Sequence, residues 1–130
     1  MKTRWWMVVL GSLALLAGSC KDSGPVAGDL SVVLATPNSD DGAIQFTATA
    51  ASPATITGVT GACTGCKLFF VKVSDTQYKG VLTGTVAAGT LFRVSVSDTK
   101  VPGSYAVTVN AASSRTFVVR SNTGYSLTLK

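Results

Sequence analysis

The sequence predicts an all-β fold, an antiparallel two-sheet β-sandwich, and three observations predict it. Val and Thr occur 17 times each in 130 residues, and β-branched side chains suit a pleated, half-buried surface. Apolar and polar residues alternate with period two in several stretches, the pattern of a strand with one face in a core and one in water. Turn-forming residues separate these stretches at short intervals. No window of eleven or more residues carries a convincing 3.6-residue period.

The chain opens with a different element. Lys2 and Arg4 are followed by an apolar stretch from Trp5 to Leu16, broken only by Gly11 and Ser12, and then by the small residues Ala17-Gly18-Ser19 ahead of Cys20. The stretch is shorter than the ~20 residues of a membrane-spanning helix. A positive start, an apolar centre and small residues together read as an export signal over 1–19. Leu16-Ala17-Gly18-Ser19-Cys20 resembles the lipobox of bacterial lipoprotein signals. That resemblance implies a Cys20 that is lipidated and becomes the mature N-terminus. It also implies an exported protein held in the cell envelope by its lipid, on the periplasmic side or the outer surface. Ala17 stands where that pattern favours Leu, and Ala17-x-Ser19 also satisfies the small-x-small rule of ordinary signal cleavage. The cysteine count agrees with lipidation: of Cys20, Cys63 and Cys66, an anchor at Cys20 leaves an even pair. Without residues 1–19 the eleven basic residues lose Lys2 and Arg4. Nine basic against six acidic groups leaves +3, a mildly basic surface that requires no acidic partner.

Residues 20–28 follow as the lipidated Cys and a short polar tether, and the domain spans 29–130. Strands are expected near 29–35, 43–50, 54–60, 67–74, 78–86, 90–96, 105–111, 115–120 and 124–129. Ile44, Phe46, Ala48 and Ala50 alternate with polar residues in the second. Phe92, Val94 and Val96 do so in the sixth, Tyr105, Val107 and Val109 in the seventh, and Tyr125, Leu127 and Leu129 in the last. Pro37 to Gly42, Ser52-Pro53, Thr64-Gly65, Ala88-Gly89, Pro102-Gly103 and Ser121 to Gly124 separate them. Nine short strands with frequent turns point to a sandwich, with a closed barrel of the same strands as the alternative. A transmembrane barrel needs strands of ~9–11 residues and aromatic girdles; the expected strands are mostly shorter and have no such girdles.

Val71-Lys72-Val73-Ser74-Asp75-Thr76, with Gly80 behind it, returns as Val94-Ser95-Val96-Ser97-Asp98-Thr99 with Gly103 behind it. Two strands ending in the same Asp turn chemistry account for this. If all neighbouring strands are antiparallel, both turns fall at one end of the domain. The segment Asp41 to Phe46, together with Gly80 to Val96 and its Phe-x-Val-x-Val ending, resembles the cohesin and carbohydrate-binding-module class of β-sandwiches. The resemblance implies a binding or scaffold role on a sheet face, and no individual binding residue carries over.

The chemistry is bounded by what is missing. The chain has no His and no Glu, which removes Ser/His/Asp and Cys/His catalysis, His metal sites and CxxCH haem attachment. Cys63-Thr64-Gly65-Cys66 is the sharpest motif. Two thiolates cannot complete a tetrahedral zinc site, and a redox CxxC belongs at a helix N-terminus, whereas strands flank this one. Export favours oxidation, so a local disulfide across a tight turn between two strands is expected. A redox pair and a free or intermolecular pair are the alternatives. Asn38, Asp40 and Asp41 make a weak calcium candidate, because calcium takes six to eight oxygens; an Asx-rich turn explains the same residues. Lys67, Lys72, Lys79, Arg93, Arg115 and Arg120 lack the interleaved aromatics of a single-strand nucleic-acid site, so no nucleic acid is expected, and charges on edge strands block unwanted pairing. Among Phe69, Phe70, Tyr78, Phe92, Tyr105, Phe117 and Tyr125, most should be core, the rest a platform for a glycan. The expected function is a lipid-anchored, non-enzymatic envelope sandwich without cofactor or metal, binding a protein or glycan partner on a sheet face or loop end. The alternative is a periplasmic thiol-redox or enzyme accessory protein.

Overall fold

A strand with one apolar face is stable only when that face meets another sheet. The computed structural model describes residues 24–130 and shows how the chain achieves this. Residues 1–19, read as an export signal, and Cys20 lie outside the described residues. The strands are β1 (Gly28–Ala35), β2 (Asp41–Ala50), β3 (Ile56–Gly61), β4 (Cys66–Ser74), β5 (Gln77–Val86), β6 (Gly89–Val96), β7 (Tyr105–Ser114), β8 (Val119–Arg120) and β9 (Ser126–Leu129), with a single 3-10 turn at Pro102–Ser104. They form a four-stranded sheet ordered β3-β6-β1-β9 and a five-stranded sheet ordered β4-β5-β2-β7-β8. Every pairing is antiparallel. The fold is therefore a β-sandwich.

The alternating residues meet between the sheets. Leu30, Val32 and Leu34 of β1, Ile44, Phe46 and Ala48 of β2, and Val94 and Val96 of β6 are all buried. Phe46 and Phe92 stack across the interior with ring centroids 4.2 Å apart. Bulges explain where alternation fails. Phe92 pairs with Val32 and Thr90 with Val33, so Leu91 is the extra residue and both Leu91 and Phe92 turn inward. Val109 and Ala111 pair with successive residues of β2, which makes Asn110 the extra residue of β7. Gly80 leaves room for the Phe46 ring, because a Cβ there would lie 2.6 Å from Cζ of Phe46.

Strand ends shift by one to four residues from the sequence reading, and three differences matter. β7 continues to Ser114, and β8 shrinks to two residues because 115–118 form the turn joining them. The stretch read as a tether is docked from Gly24 onward. The Val26 amide donates to Asp98 Oδ1 at 3.2 Å, the Thr99 amide to the Val26 carbonyl at 2.7 Å, and Lys100 Nζ to the Gly24 carbonyl at 2.6 Å. These contacts define one pole of the sandwich. Both Asp turns lie there: the Ile56 amide donates to the Asp75 carbonyl and the Ser97 amide to the Thr55 carbonyl. The Ser52–Pro53 peptide bond is cis. The opposite pole carries the start of β2, the cysteine loop and the β7–β8 turn.

Candidate functional site

The five-stranded sheet has two edges of very different character. At one, β8 has only two residues. At the other, β4 has nine and pairs only with β5. On β4, Leu68 leans inward and is partly buried, whereas Phe69, Phe70, Val71 and Val73 are exposed large apolar residues. The register carries the apolar surface from this edge across the outer face of the sheet. Phe69 lies beside Val81, Val81 beside Gln45, and Gln45 beside Ala111. One row over, Ala43 lies beside Ser113 and Ser113 beside Val119. Two shallow depressions follow these rows and share Gln45 and Val81: one is lined by Phe69, Val71 and Lys79, the other by Ala43, Ala111 and Val119. Such a contiguous exposed apolar surface marks an interaction site.

The β7–β8 turn adds apolar surface at the opposite edge of the same sheet. Its hydrogen bonds run from the Phe117 amide to the Ser114 carbonyl and from the Ser114 amide to the Val118 carbonyl. Ser114 Oγ also accepts from the amides of Thr116 and Val118. The turn puts Phe117 at φ 66°, a left-handed conformation that costs a bulky residue about 1–2 kcal/mol. Phe117 is nonetheless 90% exposed. The expectation that most aromatics are core therefore fails at Phe69, Phe70 and Phe117, while Phe92, Tyr78 and Tyr105 are buried. Phe69 points to the outer face, Phe70 lies on the inner side of an edge strand that the opposing sheet leaves uncovered, and Phe117 sits at the tip of a turn. A local signal existed for the last: Phe117-Val118-Val119 is an apolar run without alternation.

The cysteine loop is close to expectation in chemistry and different in placement. Cys63 and Cys66 are joined, with Cα atoms 5.7 Å apart, and Gly65 takes φ 83°. The turn is no hairpin, because β3 pairs with β6 and β4 with β5; the chain crosses here from one sheet to the other. The loop packs so tightly on β5 that a Cβ at Gly84 would lie 2.5 Å from the Gly65 carbonyl oxygen. Strands flank the motif, so no helix dipole acts on it.

Asn38, Asp40 and Asp41 do come together, and protein groups hold them. Asp41 is fully buried. Its carboxylate accepts hydrogen bonds from Thr36 Oγ1 at 2.6 Å and from the Tyr125 hydroxyl. Asn38 Nδ2 donates to that hydroxyl at 2.8 Å. Arg120 donates to Asn38 Oδ1 at 2.9 Å and to Asp40, and its Nε stands 3.9 Å from Asp41. Burial first, and the Asp41 carboxylate second, push the Tyr125 hydroxyl above the ordinary tyrosine value. A cation entering this corner must displace Arg120, so the acidic loop works as a cross-tie between β2, β8 and the segment before β9. Sequence reasoning missed Arg120 and Tyr125 as partners, since they lie 80 and 84 residues from Asp40 and Asp41 and leave no local signal. The basic residues scatter: Lys67 and Lys72 lie on edge strand β4 and Arg120 on edge strand β8, while Lys79 and Arg93 sit on the inner strands β5 and β6. Among the described residues no three His, Cys, Asp or Glu side chains converge as metal ligands.

No protein-family model matches this chain, and no curated protein or solved structure matches it either.

Proposed function

We propose that this chain is a lipid-anchored, non-enzymatic binding module of the bacterial cell envelope, working through the free edge and outer face of its five-stranded sheet. The observation that carries the reading is the exposed apolar surface of β4 beside a backbone edge that no strand among the described residues covers. Affinity in such a place comes from backbone hydrogen bonds and selectivity from alternate side chains. The anchor is read from Met1 to Cys20. The docked segment Gly24 to Val26 supports a fixed orientation, because the chain enters at the pole opposite Phe117. The working surface then stands along the side and far end of the domain, away from the point of attachment.

Fractionation of cells expressing the full chain tests the anchored reading. The wild-type protein is expected in membranes, with mass spectrometry finding a lipid-modified Cys20 at the N-terminus. Cys20→Ala is expected to move the protein into the soluble fraction, since the covalent anchor carries nearly all the membrane affinity. An unmodified Cys20, or membrane retention of the variant, overturns the reading.

A further inference from the structure

We propose that the partner of the β4 edge is a second copy of this chain, with β4 pairing antiparallel to β4 across a two-fold axis at Phe70. This names the occupant of the surface proposed above and rests on that reading only for the edge being a working one.

Four edges exist in the two sheets, and three are blunted. β8 has two residues and β9 four. β3 has six, with Gly58 and Gly61 within it and a break in register between Ile56 and Gly58. Short strands, irregularities, Gly and lysines keep an edge from pairing; β4 carries Lys67 and Lys72 and one register shift, at its end. β4 has nine residues, and its register with β5 runs unbroken from Cys66 to Lys72. It offers a continuous row of unpaired backbone groups between apolar side chains.

Symmetry then restricts the register. A two-fold axis perpendicular to the sheet keeps each copy's outer face on the same side. Opposed residues must therefore point to the same face, so their numbers sum to an even value and the central residue opposes itself. The midpoint of Cys66–Ser74 is Phe70, and centring there engages Leu68 to Lys72 with their alternation intact, short of the register shift before Ser74. Phe70 then faces Phe70 of the second copy, and Phe69 faces Val71. These are aromatic–aromatic and aromatic–β-branched pairs, the favourable cross-strand kinds. Lys67 faces Val73 and Lys72 faces Leu68, so no lysine opposes a lysine. The arrangement that would oppose Lys67 and Lys72 needs an odd sum and is excluded by the side-chain alternation. Lys72 also carries its own counter-ion, Asp75, at 2.7 Å.

A single nine-residue edge covers less than the about 800 Å² per partner of a standard interface. The pair is therefore a weak one that forms where copies are concentrated, as on a shared surface.

Thiol cross-linking of the full chain in cells tests the register. In the Phe70 register the two copies of residue 70 are neighbours, about 5 Å apart. The two copies of residue 68 are offset by four residues, about 14 Å along the strand. With a bis-maleimide that reaches about one strand spacing beyond a contact pair, Phe70→Cys should give at least tenfold more covalent dimer than Leu68→Cys. Any background from Cys20 is common to both. Adding Phe69→Lys, at an exposed site, should reduce the Phe70→Cys dimer to the Leu68→Cys level. Equal yields at 68 and 70, no dimer at 70, or a dimer indifferent to Phe69→Lys overturns the proposal. Fractionating the same cells with and without Cys20→Ala separates the two readings. Residue-70 dimer in a protein that is soluble even with Cys20 keeps the pairing and drops the anchor. No residue-70 dimer in a protein that Cys20 holds in membranes does the reverse.

Discussion

The segments Val71 to Thr76 and Val94 to Thr99 share the pattern Val-x-Val-Ser-Asp-Thr, and the fold treats them in opposite ways. Both are the ends of strands, and both run into a turn at the same pole. In the second, Val94 and Val96 are each 1% exposed; in the first, Val71 and Val73 are 59% and 53% exposed. The difference lies in position. Val94 and Val96 point from β6 into the space between the sheets, whereas Val71 lies beside Lys79 on the outer face of its sheet and Val73 sits at the register shift where β4 ends. The turns diverge too. Asp98 Oδ1 accepts from the amides of Val26 and Lys100 and so pins the entering chain. Asp75 reaches only Lys72, on the surface. Local sequence therefore specifies strand and turn, and topology decides whether the valines are core or contact surface.

Truncating the valines breaks this comparison most sharply. Val94→Ala or Val96→Ala should cost about 1.5–3 kcal/mol each, through lost burial and a cavity. Val71→Ala or Val73→Ala should stay within about 0.5 kcal/mol. Denaturant unfolding of the four variants checks this, and equal losses at both copies would show that β4 is covered. The acids give a smaller contrast. Asp98→Ala removes a charged acceptor of two backbone amides and should cost about 1.5–3 kcal/mol less the water that replaces it. Asp75→Ala should leave the unfolding midpoint unchanged, because an exposed ion pair is worth little.

The smallest effect is electrostatic. Lys72 holds the Asp75 carboxyl below its ordinary value of 3.8, and Asp75 raises Lys72 above 10.5. The depressed acid favours the folded state above pH 3.8, and that contribution is lost as pH falls through its folded value. The raised lysine favours the folded state below pH 10.5, and that contribution is lost as pH rises through its folded value. Both groups are exposed, so salt near 1 M, where screening acts within about 3 Å, should return the Asp75 midpoint toward 3.8 in an NMR titration.

The comparison also marks what the sequence could and could not disclose. Alternation such as Ile44-x-Phe46-x-Ala48 is a local record of a face, and together with the turn residues it placed the strands, with ends displaced by a few residues and β8 cut to two. Which sheet a strand joins is not local. Cys63-Thr64-Gly65-Cys66 has the spacing of a hairpin turn, yet β3 and β4 part company there because each has a better partner elsewhere. Exposure of Phe70, on the inner side, depends on β4 being last in its sheet, and no residue of β4 encodes that; Phe69 is exposed because it points to the outer face. The corner around Asp41 was legible as an oxygen-rich loop. Its guanidinium and phenol arrive from the far end of the chain, so its closure became visible only in three dimensions.

One feature of the four-stranded sheet has a mechanical meaning. β1 receives the chain at Gly28 and lies between β6 and β9, with hydrogen bonds on both sides. Those bonds run perpendicular to the strand. Tension arriving from residues ahead of Gly28 and directed along β1 therefore strains both ladders together, in shear, and the bonds share the force. The same pull on an outermost strand such as β4, applied sideways, would open its bonds one after another like a zipper. The domain resists force best along the line by which its chain enters.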